Sequence, residues 1–175
     1  MKHAKYILRL TLTLLVITAV VAGLLGLVNA LTADRIAELT KEKAVAAMRE
    51  VLPADDYEPL DVTAEGISEA YRAVGAGYVV RVSVNGFGGA IDMMVGVDEN
   101  GGVTGVSVIS HSETASLGAN CTREDFRAQF VGASDALAVK KDGGTVDALT
   151  GATVTSRAVT EGVSRALAFV GEVRK

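Results

Sequence analysis

Tryptophan is absent, proline occurs twice and cysteine once, at position 121. A single thiol supplies no intramolecular disulfide, no Cys-x-x-Cys pair and no iron–sulfur ligand set, so redox chemistry in this chain requires a borrowed cofactor. Cys121 itself reads as a small, buried side chain. Acidic residues are missing from the N-terminus, where Lys2, Lys5 and Arg9 stand alone. After Leu31 the balance reverses. All 21 acidic residues lie there against 14 of the 17 Lys and Arg, leaving −7 with both His neutral. That charge excludes nucleic acid as a partner.

Charge of either sign is missing from Leu10 to Leu31, a run of 22 residues. At about 1.5 Å per residue it crosses a bilayer core as one transmembrane helix. The preceding Lys and Arg set residues 1–9 in the cytoplasm and the C-terminal part outside it, in the cell (inner) membrane. Val28-Asn29-Ala30 offers an alternative, a signal-peptidase site. The apolar run exceeds the roughly 7–15 residues of a signal-peptide core, which favours the anchor. On both readings the remainder is exported.

Residues 32–59 read as an amphipathic helical linker, with Ile36, Leu39, Ala46, Ala47 and Val51 at helical spacings. Pro53 and Asp55-Asp56-Tyr57-Glu58-Pro59 end that helix, and the globular domain is set at 60–175. From Ala70 to Ser110 the period changes to two. Tyr78, Val80, Val82 and Val84 line one strand face, and Ile91, Met93, Val95 and Val97 line that of the next. Glu99-Asn100-Gly101-Gly102 turns the chain into a third strand, Val103 to Ser110. Thr122 reads as the N-cap of a short helix, Arg123 to Phe130, and a final helix from Thr155 to Val173 carries Val159, Val163, Ala166, Leu167 and Val170 on one stripe. The expected fold is α+β, an antiparallel sheet packed by helices behind a single N-terminal transmembrane helix.

The chemistry concentrates in Asp147-Ala148-Leu149-Thr150-Gly151-Ala152-Thr153-Val154-Thr155-Ser156, which leads into the final helix. Hydroxyls cluster at a helix N-terminus, and Gly151 and Ala152 leave its backbone uncovered, so N–H groups and the helix dipole can face an anion. A plain N-cap rich in Thr and Ser accounts for the local pattern more simply. His111 and Glu113 sit two apart, too few for a metal site. Phe87, among three glycines, reads by periodicity as core at a strand end. No partner residue near Thr153 makes it a hydrolytic nucleophile.

The stretch Asp147-x-x-Thr150-Gly151-Ala152-Thr153 closely resembles the flavinylation motif of the FMN-binding domain family. Val139 to Val146 before it and Thr153 to Val163 after it are similar to the G subunit of Rnf-type ion-translocating electron transport complexes. His111-Ser112-Glu113-Thr114-Ala115-Ser116-Leu117-Gly118 resembles the family's H-x-E-T-P-G-L-G loop, with Ala115 and Ser116 in place of Pro-Gly. Gly86-Phe87-Gly88-Gly89-Ala90-Ile91 resembles its G-Y-G-G-P-I segment. The C subunit of the Na⁺-translocating NADH:quinone oxidoreductase is a longer relative.

The resemblance implies FMN held covalently by a phosphoester to Thr153, with Asp147, Thr150, Gly151 and Ala152 around the link and Glu113, Thr114, Leu117 and Gly118 near the flavin ring. It also implies a Mg²⁺-dependent flavin transferase that uses FAD, and other subunits of the Rnf-type complex as partners. The chain then reads as a redox carrier rather than a stand-alone enzyme. A membrane-anchored flavin-binding sensor, or a C-type subunit of the Na⁺-translocating enzyme, is the alternative.

Overall fold

In the computed structural model the described residues are 2–62 and 64–174. They fall into two compact units, Met1–Glu42 and Lys43–Lys175. Helix α1 (Lys2–Val51) runs through the first and contributes its last turns to the second. The first unit holds a candidate membrane span. Its most apolar stretch has a mean hydropathy of 2.5 and none of it is buried. Hydroxyls that would be costly in lipid are turned inward, as Thr11, Thr13 and Thr18 donate to the carbonyls of Ile7, Arg9 and Leu14.

The second unit is built on an antiparallel meander, β1 (Tyr57–Leu60), β2 (Ile67–Ala73), β3 (Gly77–Asn85), β4 (Ala90–Asp98) and β5 (Val103–His111), in sheet order 1-2-3-4-5. The expected alternation of β3 and β4 is present in full. Val80, Val82, Val84, Ile91, Met93, Val95 and Val97 all join one core beneath helix α3 (Thr153–Val173). Every residue of the expected α3 stripe is buried in the same core. Gly162 lets α3 lie close to the sheet, since a Cβ there would collide with Met93.

The opposite sheet face carries Val79, Met94 and Ile109, covered by the end of α1. The buried stripe of α1 is Ala44, Ala47, Met48 and Val51; Ile36, Leu39 and Ala46, also expected on it, are exposed. Gly96 and Gly105 permit this contact, because side chains there would meet the backbone of Val51. Thr104 Oγ1 donates to the Val51 carbonyl at 2.6 Å, satisfying a group the helix end leaves open.

Two local expectations change. The short helix α2 spans Glu124–Arg127 and starts from Arg123 with no side-chain cap. Thr122 instead donates to the Ala119 carbonyl within a preceding 3₁₀ turn, Gly118–Thr122. Tyr57–Leu60 forms an edge strand containing Pro59, which is tolerated because an edge position leaves one row of hydrogen bonds unused.

Candidate functional site

Helix α3 begins at Thr153, two residues earlier than the spacing predicts, from Ala152 as N-cap and without any side-chain cap. The hydroxyl-cap reading of the Thr and Ser cluster is therefore not what the structure uses. Ser156, buried, accepts the Leu149 N–H at 2.9 Å and donates to the Ala152 carbonyl. Thr155, buried, donates to Glu113 Oε2 at 2.6 Å. Thr153 alone of the three is half-exposed at the helix start, in the first turn, where backbone N–H groups have no intrahelical acceptor. Gly151 makes the approach with φ +75°, a left-handed conformation that glycine adopts without penalty.

Glu113, on the loop after β5, ties three segments together. One carboxylate oxygen accepts the Gly88 N–H at 2.9 Å from the β3–β4 turn, and the other accepts the Thr155 hydroxyl from α3. The carboxylate fits because Gly86 and Gly118 lack side chains, and a Cβ at either would collide with its oxygens. The Glu113 N–H donates to Nδ1 of His111 at 3.2 Å, so these two residues serve the loop's shape. Among the described residues no group of three His, Cys, Asp or Glu converges. Burial, and then the Glu113 charge, pushes the nearby Cys121 thiol up to about 11, leaving it protonated and unreactive at neutral pH.

These ties shape a cavity of about 430 Å³ lined by Gly151, Ala152, Thr153, Val154 and Thr155 on the α3 side, Glu113, Thr114, Leu117 and Gly118 on the loop, and Phe87 and Lys141 at the margins. Seven of the nine expected site residues meet here. Asp147 and Thr150 line a neighbouring depression instead, with Arg123 and Gln129. Gln129 clamps the Asp147 backbone, accepting its N–H at 2.7 Å and donating to its carbonyl, while Lys140 pairs with its carboxylate at 2.7 Å.

Four cavity residues lie outside the expected site set: Val154 and Thr155, which follow the motif directly, and Phe87 and Lys141, which are remote from it. Phe87 is 74% exposed on the cavity margin and not core, because the β3 alternation stops at Asn85 and the glycine turn carries the ring outward. Lys141 donates to Thr153 Oγ1 at 3.1 Å, a contact between residues 12 apart that no local period announces. Ser116 has φ +62°, the left-handed conformation the family's glycine would take without strain, and Asn120 holds it by donating to the Ser116 carbonyl.

Residues 86–168 match the FMN-binding domain family, and residues 1–51 match the RnfG N-terminal region. The chain is 36% identical to the G subunit of the ion-translocating oxidoreductase complex of Methanosarcina acetivorans, over 97% of each chain. The chain belongs to this G-subunit family. It is also 38% identical to the corresponding G subunit from Stutzerimonas stutzeri, over 90% of this chain and 78% of the relative. In fold it is similar to the C subunit of Na⁺-translocating NADH-quinone reductase from Parabacteroides distasonis, with a TM-score of 0.51 over 76% of this chain and 82% of that one, at 19% identity.

The G-subunit family member thus contains an FMN-binding domain, and the cavity suits such a ligand. Its volume lies in the range of about 300–1,000 Å³ typical of small-molecule sites. Exposed Phe87, Leu117 and Val154 offer apolar surface to a flat ring system, and Lys141 and the open amides of α3 offer donors to a phosphate.

Proposed function

We propose that this chain is the electron-transfer subunit of a membrane-bound, Rnf-type ion-translocating oxidoreductase complex, with FMN joined to Thr153 by a phosphoester. The observation that carries the reading is the position of Thr153, the hydroxyl of the α3 cluster that opens on the cavity while Thr155 and Ser156 are committed to Glu113 and Leu149. Residues 1–9 lie in the cytoplasm, residues 10–31 cross the membrane, residues 32–42 lead from that span to the compact unit, and that unit, 43–175, faces outward with the end of α1 and β1 as part of it.

A threonine hydroxyl is barely nucleophilic at neutral pH and needs a base. Among the described cavity residues the one carboxylate, Glu113, is occupied by Gly88 and Thr155, and the one amine, Lys141, donates to Thr153 rather than accepting from it. Attachment is therefore the work of a flavin transferase. Thr153 Oγ forms the new O–P bond, a P–O bond in the FAD pyrophosphate breaks, AMP leaves with the electron pair, and the hydroxyl proton passes to a base of the transferase. Bound FMN supplies reversible one- and two-electron chemistry. Thr153 anchors it, Phe87 and Leu117 screen the ring from water, and Glu113 holds the two loops and α3 in register around it. Covalent attachment suits an exported carrier, since a dissociated cofactor would be lost by dilution.

The test is in-gel flavin fluorescence of the full chain made together with a flavin transferase. The band is expected for the native chain and lost in Thr153→Ala. Undiminished fluorescence in that variant moves the attachment to another residue and rejects the reading.

A further inference from the structure

We propose that Lys141 reads the phosphate of the flavin nucleotide, acting as the positioning cation of the Thr153 site. The inference rests on the flavin reading above and adds a residue to it. Lys141 is the one cation among the described residues that line the cavity, and its Nζ lies 3.1 Å from Thr153 Oγ1. Its neighbour Lys140 is committed elsewhere, to Asp147. Among the described residues no carboxylate pairs with Lys141. An ammonium with three donors and one hydroxyl acceptor keeps two donors for incoming oxygens.

The backbone beneath Lys141 is built to hold it there. Lys140–Asp142 forms a 3₁₀ turn closed by Gly143 at φ +86°. The flanking segments pair at Val139 and Val146, and the Gly144 N–H donates back to the Val139 carbonyl. Gly144 has to be glycine because a Cβ there would collide with the Ala138 carbonyl. Asp142 then accepts both Nε and Nη2 of Arg157 at 2.6 Å, which fastens the turn to α3 one helical turn beyond Thr153. The Arg157 guanidinium, aided by Lys141, keeps the Asp142 carboxyl below its ordinary range, so this clasp stands throughout the neutral pH range. Thr153 and Lys141 are thus fixed on either side of one ion pair.

With Thr153 free, Lys141 orients its oxygen. After esterification the same ammonium donates to the non-bridging oxygens of the phosphodiester. A lysine placed for that role favours a flavin that carries a phosphate over one that lacks it, with or without a covalent link.

The experiment uses the full chain in detergent, produced without the transferase and titrated with FMN and with riboflavin by fluorescence quenching. The native chain is expected to bind FMN about tenfold more tightly than riboflavin, the scale of one charge-assisted hydrogen bond. Lys141→Gln should cut the preference severalfold, leaving only what the α3 amides supply, and Lys141→Arg should retain most of it. No preference in the native chain, or an undiminished one in Lys141→Gln, overturns the proposal. A parallel sample made with the transferase separates the two claims. Preference without any mass added at Thr153 rejects the covalent link and sustains Lys141, whereas added mass without preference does the reverse.

Discussion

Helix α3 carries two apolar regions of opposite fate. Along its length Val159, Val163 and Ala166 are fully buried against Val82, Ile91, Met93 and Val95. At its start Val154 is 48% exposed and faces Leu117, 43% exposed, and Phe87, 74% exposed. Burial stabilises by about 25 cal/mol per Å², so the first group holds the fold together and the second contributes little to it. Polar groups are reversed in the same way. Glu113, Thr155 and Ser156 are buried and hydrogen-bonded around the cavity. The cavity wall is therefore held by polar ties, which leaves apolar surface free for a ligand.

The contrast breaks most severely at Met93, fully buried beneath Gly162. Met93→Ala should lower unfolding stability by about 2–5 kcal/mol in chemical denaturation. At the cavity Glu113→Ala removes a tie and leaves the Gly88 N–H and the Thr155 hydroxyl without their acceptor. It should cost about 1–3 kcal/mol by the same measurement, and flavin fluorescence should rise as the loops loosen. Ser116→Gly relieves the left-handed serine, offset in part by glycine's freedom in the unfolded chain, and should raise stability by about 0.5 kcal/mol. Phe87→Ser should leave stability within about 0.5 kcal/mol while opening a bound flavin to collisional quenching by dissolved iodide. A stability loss at Phe87 as large as at Met93 would erase the distinction between wall and core.

Much of this arrangement is legible in the chain because burial imprints a period. The strand alternation from Tyr78 to Val97 and the α3 stripe from Val159 to Val170 announce the core directly, and the charge-free run from Leu10 to Leu31 announces the candidate span. Edge elements leave a weaker imprint. The β2 residues Glu69 and Arg72 project to solvent or into the ion pairs around Arg81, and Pro59 disguises β1. Phe87 misleads because the alternation of β3 stops at Asn85. Lys141 is invisible locally, since its meaning arises only when the Asp142–Arg157 clasp brings its turn to α3. The motif from Asp147 to Thr153 also divides in space. Thr153 faces the cavity, and Asp147 and Thr150 face the depression outside it, a split that linear spacing does not reveal.

The most direct test of the central claim is the mass of the tryptic peptide Asp142–Arg157, released from the full chain after production with a flavin transferase. The peptide's mass should rise by one FMN less one water, with fragmentation placing the addition on Thr153. An unmodified mass from that preparation, with the transferase shown to be active on another acceptor, would contradict the claim.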